Sequence, residues 1–140
     1  MPGEGSRGPI VGLDHVQIPI PVGGEDAARA FYGGLLGLTE VPKPEPLAAR
    51  GGCWFAGSGM AIHLGVEDEF RPWRKAHVGL LVGDLEALRR SLEDADIPTR
   101  DDDASVRVRR FYAEDPFGNR LELIDARDGG FTDPGAGPPT

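Results

Sequence analysis

Alternating apolar and polar positions mark several short strands along the chain. In AIHLG, His63 stands between two aliphatic residues, and in RLELI, Glu122 stands between two leucines. Successive side chains of a strand point to opposite faces, so such a pattern buries one face only. A carboxylate buried without a partner is very costly. The pattern therefore predicts that Glu122 points away from the packed side of its strand, and His63 likewise.

Two segments have the spacing of amphipathic helices. In EDAARAFYGGLLGL the apolar residues recur at helical intervals, and Gly37 marks the end. In DLEALRRSLEDADI, Asp84 is a good N-cap and the leucines form one stripe. The other segments predict strands or strand hairpins, namely VGLDHVQIPI, GGCWFAGSGMAIHLGV, KAHVGLLVG, IPTRDDD and RVRRFYAEDPFGNRLELID.

The order strand, helix, strands occurs twice, over residues 12–66 and 76–125. His15 lies in the first strand of one repeat, and His77 lies in the first strand of the other. GMAIHL aligns with GNRLEL, which makes His63 and Glu122 equivalent. The spacing from His15 to His63 is 48 residues and that from His77 to Glu122 is 45. Symmetry of this kind predicts two copies of one structural unit.

The composition divides the chain into five parts. Residues 1–9 and 127–140 are rich in Gly and Pro and poor in core-forming residues, which predicts disordered ends. Between them we expect a first module over 10–66, a connector over 67–75 and a second module over 76–126.

Length, charge and cysteine content narrow the classes of function. The 140 residues fit one domain or two half-domains. With 15 basic and 23 acidic residues the net charge is −8, which disfavours nucleic acid as a partner. Cys53 is the one cysteine, so there is no disulfide framework. No apolar run approaches the ~20 residues of a membrane span, and the N-terminus lacks a signal-peptide core. We therefore expect a cytoplasmic protein without membrane contact.

Strand parity gathers a set of polar side chains on one face. These residues all stand opposite apolar positions of their strands: His15, Gln17, His63, His77 and Glu122. Helices are expected to cover the apolar face, which leaves the polar set to line a concave site.

At these residues the chain resembles the vicinal oxygen chelate superfamily, which includes glyoxalase I, extradiol dioxygenases, fosfomycin-resistance enzymes and bleomycin-binding proteins. LDHVQI, FYGGLLGL, AHVGLLVGDLEAL and YAEDPFGNRLELID carry the resemblance, which covers about 10–126. It implies an α+β fold of two tandem βαβββ modules, whose curled mixed sheets form a cup with helices outside. It also implies a divalent ion bound by His15, His77 and Glu122. Glyoxalase-like members add a fourth ligand, usually Glu, where this chain has His63.

Imidazole and carboxylate ligands suit Zn, Ni, Co, Mn or Fe, so the ligands do not select the metal. Four further residues are candidates for contact with a substrate. Tyr112 and Arg110 share a strand face, and Tyr112 would act as an acid or hydrogen-bond donor; the alternative is an ordinary cross-strand pair. Gln17 would bind substrate or orient a ligand. Trp54 alternates with Phe55, and the sequence leaves open which of the two faces the cup.

Three functions fit these residues. The first is a glyoxalase-like lyase or isomerase, in which a metal ion and Glu122 act on a small oxygen-chelating substrate. The second is a metal-free protein that sequesters a cationic drug, as bleomycin-type resistance proteins do. The third is an extradiol-type dioxygenase with His15, His77 and Glu122 as a facial triad.

The resemblance also bears on assembly. In glyoxalase I and fosfomycin enzymes each site takes ligands from both subunits, whereas in other members one chain supplies everything. The connector over 67–75 is short, and one pair of ligand candidates falls in each module. We therefore expect a homodimer in which His15 and His63 of one chain face His77 and Glu122 of the other.

Overall fold

The structure is a computed structural model that describes residues 8–101 and 108–128. Its elements follow one another in the order strand, helix and three strands, and then the same order again. Their bounds are β1 (Val16–Ile20), α1 (Glu25–Ala28, continued as a π-helical segment over Arg29–Leu35), β2 (Thr39–Val41), a 3₁₀ turn (Leu47–Arg50), β3 (Cys53–Gly57), β4 (Met60–Val66), β5 (Val78–Val82), α2 (Leu85–Asp94), β6 (Thr99–Asp101), β7 (Arg110–Glu114) and β8 (Arg120–Asp125).

Each module forms its own mixed sheet. The strand orders are β1-β4-β3-β2 and β5-β8-β7-β6. The first strand of each module runs parallel to the last, and the other pairs are antiparallel. The predicted α+β fold of two tandem βαβββ modules is therefore confirmed. β1 and β5 are edge strands, each with one side that pairs with no strand of the described residues.

One hydrophobic core joins the two sheets. It takes the alternate, inward residues of β1, β3 and β4 together with those of β7 and β8, and residues of both helices. Ile62 and Leu64 are buried on either side of His63, as the alternation predicts. Cys53 belongs to this core, and burial raises the pKa of its thiol to about 11, so the thiol stays protonated. Because both sheets turn their apolar faces to one core, their polar faces lie away from it.

The first helix continues as a π-helical segment with wider turns, where the sequence predicts an ordinary α-helix. Its last backbone N–H group, on Leu36, donates to the carbonyl of Phe31 five residues back, at 2.9 Å. Gly33 and Gly34 lie inside this segment, and glycine adopts backbone conformations other than the α-helical one more readily than other residues do. Gly37, with φ of 76°, follows the helix as predicted.

The second helix begins at the predicted cap. The side chain of Asp84 accepts a hydrogen bond from the Ala87 N–H group at 3.1 Å. Leu85 and Leu92 are buried on the inner stripe. The N-cap satisfies a backbone donor that the helix itself leaves unpaired.

A buried polar network fixes the second module to the first. Asp115 and Asn119, in the turn between β7 and β8, are both buried. The Tyr32 hydroxyl donates to the Asp115 carboxylate at 2.7 Å, and the Asn119 amide donates to the Pro19 carbonyl at 2.9 Å. The connector is held as well, since the Trp73 N–H group donates to Asn119 Oδ1 at 2.7 Å.

Most of the two predicted disordered ends, 1–9 and 127–140, lies outside the described residues, which include 8–9 and 127–128 of them. Across the described part of the chain, no helix has the length and apolar character needed to cross a bilayer.

Candidate metal centre

The two histidines predicted on first strands stand one residue before them. β1 begins directly after His15, and β5 begins directly after His77. The expectation that both lie within strands is wrong, because each parallel ladder starts only at the following residue. Their backbones are therefore outside the ladders, while their rings still reach the last strand of the same module.

The two modules place their ligand candidates in the same register. In the first sheet, His63 pairs with the residue two positions after His15. In the second sheet, Glu122 pairs with the residue two positions after His77. The equivalence that the sequence repeat predicts is therefore present in the strand pairing, and each module carries one half of a possible ligand set.

In the second module, His77 and Glu122 are in direct contact. His77 Nε2 lies 3.0 Å from Glu122 Oε1, and His77 Nδ1 lies 2.8 Å from the Lys75 carbonyl oxygen. A carbonyl only accepts, so Nδ1 carries the hydrogen. In a neutral ring Nε2 then turns its lone pair toward the carboxylate oxygen. Only a cation at that position, a proton or a metal ion, makes this contact favourable.

Arg110 holds the other oxygen of the same carboxylate. Its Nη1 donates to Glu122 Oε2 at 2.9 Å, while the Glu122 side chain is 13% exposed. The Tyr112 ring meets the His77 ring edge to face, with centroids 5.9 Å apart. Arg110 and Tyr112 thus share the face of β7 that the sequence predicts, and Arg110 orients Glu122.

In the first module, His63 lies between two other aromatic rings. Its centroid is 3.9 Å from that of Trp54 and 3.9 Å from that of His15, with interplanar angles of 6° and 18°. Burial, and then the neighbouring His15, lower the pKa of His63. The neutral imidazole that results is the form that binds metals. Trp54 is thereby placed on the polar face, since Phe55 is buried in the core.

Gln17 lies on the same face of the first sheet, next to this stack. Its strand position pairs with His63, and its side chain is close to Gly65, where a Cβ atom would collide with the amide. It therefore borders the histidine pair, as strand parity predicts.

The structure does not bring the two halves together. Within residues 8–101 and 108–128, no three His, Cys, Asp or Glu side chains converge in a way that could hold a metal ion. His15 meets His63, and His77 meets Glu122, but the two pairs belong to separate sheets around a common core. A single chain thus presents two half-sites.

A cationic cavity beside Tyr112 is a feature that the sequence pattern does not predict. It has a volume of about 260 Å³, and its lining includes Arg74, Arg100, Arg120 and Glu114. Strand parity offers only a partial signal for it, because parity does not show which strands and connectors meet. Arg120 stands two residues before Glu122 on the same face of β8, and Arg100 pairs with Tyr112 across the sheet.

Solved structures with this fold are similar to the chain over most of its length. A glyoxalase family protein from Bacillus anthracis is 47% identical, with a TM-score of 0.81, over 86% of this chain and 98% of that one. A glyoxalase family protein from Enterococcus faecalis is 20% identical, with a TM-score of 0.64, over 81% and 97%.

A mutant of the fosfomycin resistance protein FosX from Listeria monocytogenes is 16% identical, with a TM-score of 0.70, over 83% of this chain and 92% of that one. That protein was solved with Mn(II) and 1S,2S-dihydroxypropylphosphonic acid. No protein-family model and no curated protein sequence matches the chain. The likenesses at 16% and 20% identity bear on the fold alone.

Proposed function

Since the chain belongs to the glyoxalase family, within the vicinal oxygen chelate superfamily, we propose that it is a divalent-metal enzyme of the lyase or isomerase type. Its substrate would be a small molecule with two neighbouring oxygen atoms. The ligands of the ion would be His15, His63, His77 and Glu122.

The contact between His77 and Glu122 is the observation that carries the proposal. Their facing atoms are 3.0 Å apart, which matches the spacing of adjacent ligands, about 3 Å, around an octahedral ion with bonds of about 2.1 Å. The other ring nitrogen of His77 donates to a backbone carbonyl, as metal-bound histidines commonly do. These donor atoms fit Zn, Ni, Co, Mn or Fe, and the FosX relative binds Mn(II).

When bound, the ion would act as a Lewis acid that polarises the substrate oxygens and stabilises developing negative charge. Arg110 keeps the Glu122 carboxylate in place. Tyr112 borders the His77 ring and would donate a hydrogen bond to the substrate. Trp54 and Gln17 line the other half-site and would contact the rest of the molecule.

The full ligand set would form between two chains. His15 and His63 of one subunit would face His77 and Glu122 of the other, so that a homodimer holds two equivalent sites. Two observations support this arrangement. The half-sites lie on faces that turn away from one shared core. The edge strand β5 also exposes 57% of Leu81, and an unpaired edge is a ready place for a partner.

Metal binding by Glu122→Gln tests the proposal. The wild-type chain should bind about one ion per subunit near neutral pH and turn over a dialdehyde–thiol mixture. Loss of one ligand charge should weaken metal affinity at least ~10-fold, the lower end of what even supporting residues contribute. Affinity would be measured by calorimetric titration of the metal.

Glu114→Gln is the matched control, because Glu114 lies on the same sheet and its exposed carboxylate contacts Arg74 at 3.8 Å. Its metal affinity should equal that of the wild type. A wild-type protein that binds no metal near neutral pH, or a Glu122→Gln variant with unchanged affinity, would contradict the proposal.

A metal-free drug-binding protein is the second candidate. The absence of three converging ligands within one chain, over the residues that the structure describes, favours it. A cationic glycopeptide would then raise the thermal unfolding midpoint equally with and without EDTA. The extradiol dioxygenase hypothesis stays a prediction, which oxygen uptake with Fe(II) and catechols would test.

A further inference from the structure

Three guanidinium groups surround the ring of Tyr112. The guanidinium carbon of Arg100 lies 5.1 Å from the ring centroid, that of Arg120 lies 5.7 Å from it and that of Arg110 lies 5.9 Å from it. Arg110 is engaged with Glu122. Within residues 8–101 and 108–128, Arg100 and Arg120 form no ion pair with a carboxylate.

These groups border the cavity of about 260 Å³. Its lining carries three arginines, Arg74, Arg100 and Arg120, against one carboxylate, that of Glu114. Positive charge is therefore concentrated here on a chain whose net charge is −8. The cavity has room for several water molecules, each of which takes about 30 Å³ in the liquid.

Contact with the aromatic ring compensates the mutual repulsion of the arginines only in part, because each exposed cation–π contact contributes about 0.5–1 kcal/mol. A planar guanidinium can donate two parallel hydrogen bonds to an oxyanion. The three arginines that line the cavity come from the connector, β6 and β8, so they reach it from three separate segments of the chain. This arrangement suits a tetrahedral, doubly charged group better than a flat carboxylate.

We propose that this cavity binds a tetrahedral oxyanion, the phosphate or phosphonate group of an anionic substrate. The inference rests on the proposed function, because it treats the bound oxyanion as part of the substrate of that enzyme. Tyr112 links the two places, since its ring is near His77 and also near the guanidinium groups of Arg100 and Arg120. The substrate would therefore carry its oxyanion a few bonds away from the oxygens near His77.

Inorganic phosphate is the probe, titrated into EDTA-treated wild-type protein and into the double variant Arg100→Gln, Arg120→Gln. Phosphate should raise the thermal unfolding midpoint of the wild type more than chloride or acetate at equal ionic strength. The double variant should bind phosphate at least 10-fold more weakly by calorimetry. Arg90→Gln, an exposed position on α2, should bind as the wild type does.

A structural role for the arginines predicts a different result. If they only support the fold, the double variant will unfold at a lower temperature without phosphate, and phosphate will not stabilise the wild type. If they form an anion site, the double variant loses two positive charges that repel each other, and its thermal unfolding midpoint in chloride is equal to or higher than that of the wild type. Unchanged phosphate affinity in the double variant would overturn the proposal, and so would acetate binding as tight as phosphate binding.

The phosphate-binding experiment does not depend on whether the protein binds a metal ion. Phosphate binding is measured in metal-free protein, so a chain that never binds a metal still tests the cavity. Metal affinity of the double variant should equal that of the wild type. Glu122→Gln, which should lose metal, should retain phosphate binding; loss of phosphate binding in that variant would place the anion elsewhere.

Discussion

At the scale of single residues, the pairing of Glu122 explains how a carboxylate is tolerated on a largely covered face. Each of its oxygens has a cationic or hydrogen-bonding neighbour, Arg110 on one side and His77 on the other. Removal of one partner from such a group leaves a charge without compensation, which costs more than the pair contributes. Arg110 is therefore a positioning residue for the proposed metal ligand.

The hydroxyl of Tyr32 gives a first prediction on stability. Tyr32→Phe removes a buried donor to Asp115 and should lower the free energy of unfolding by about 1–3 kcal/mol. Tyr112→Phe, at a half-buried site on the polar face, is the control and should change stability less. Chemical denaturation of both variants measures this, and equal losses would contradict the role of the network.

The same hydroxyl predicts a dependence on alkaline pH. Burial, and then Asp115, raise the pKa of Tyr32 above its usual value of 10.0. The unfolded chain therefore loses this proton first, and the stability due to Tyr32 is complete below about pH 10 and falls as the pH rises above it. Tyr32→Phe should show a smaller alkaline loss than the wild type in denaturation series from pH 8 to 11.

At the scale of elements, the entry into β3 depends on a glycine. Gly52 has φ of 82°, and a Cβ atom there would overlap the carbonyl oxygen of Leu64 in β4. Gly23 has the same φ of 82° with open space around it. Left-handed backbone costs a non-glycine residue about 1–2 kcal/mol at either position. Only Gly52 adds a collision with a paired strand.

We therefore expect Gly52→Ala to lose more stability than Gly23→Ala, by at least about 1–2 kcal/mol. Both positions have φ of 82°, so both variants carry a cost of positive φ, while of the two only Gly52 also has the collision with Leu64. Urea denaturation of the two variants gives the difference. Equal losses would mean that the start of β3 can shift away from β4.

At the scale of the whole molecule, the polar faces of the two sheets lie away from one common core. Mixing variant subunits tests whether a metal site forms between these faces of two chains. Subunits with His15→Ala would be mixed with subunits carrying Glu122→Gln, and exchange would be allowed to reach equilibrium. If sites form between chains, each heterodimer has one intact site and one site with both changes. Metal binding should then recover to roughly a quarter of the wild-type sites for random mixing of a two-fold dimer.

Metal content of the exchanged mixture, compared with each variant alone, measures the recovery. A mixture that binds no more metal than the single variants would reject the shared arrangement, since a site within one chain always keeps one lesion. Native mass spectrometry confirms that heterodimers have formed.

The amino-acid sequence alone predicts the repeat, the strand parity and the position of His63 and Glu122 opposite the core-facing residues of their own strands. These are local properties, because the alternation of side chains along a strand needs no knowledge of distant residues. For the same reason Asp84 was predictable as a cap. The family resemblance added the α+β fold of two tandem βαβββ modules, which the structure bears out.

Which of these groups meet depends on how the strands and helices pack in three dimensions. Strand parity does not tell that Arg110 binds Glu122, that Trp54 and not Phe55 faces His63, or that arginines from the connector, β6 and β8 border one cavity. Such contacts depend on strand order and register across many residues. The separation of the two half-sites has the same cause: both sheets turn their apolar faces to a single core, and that packing places the ligand faces apart.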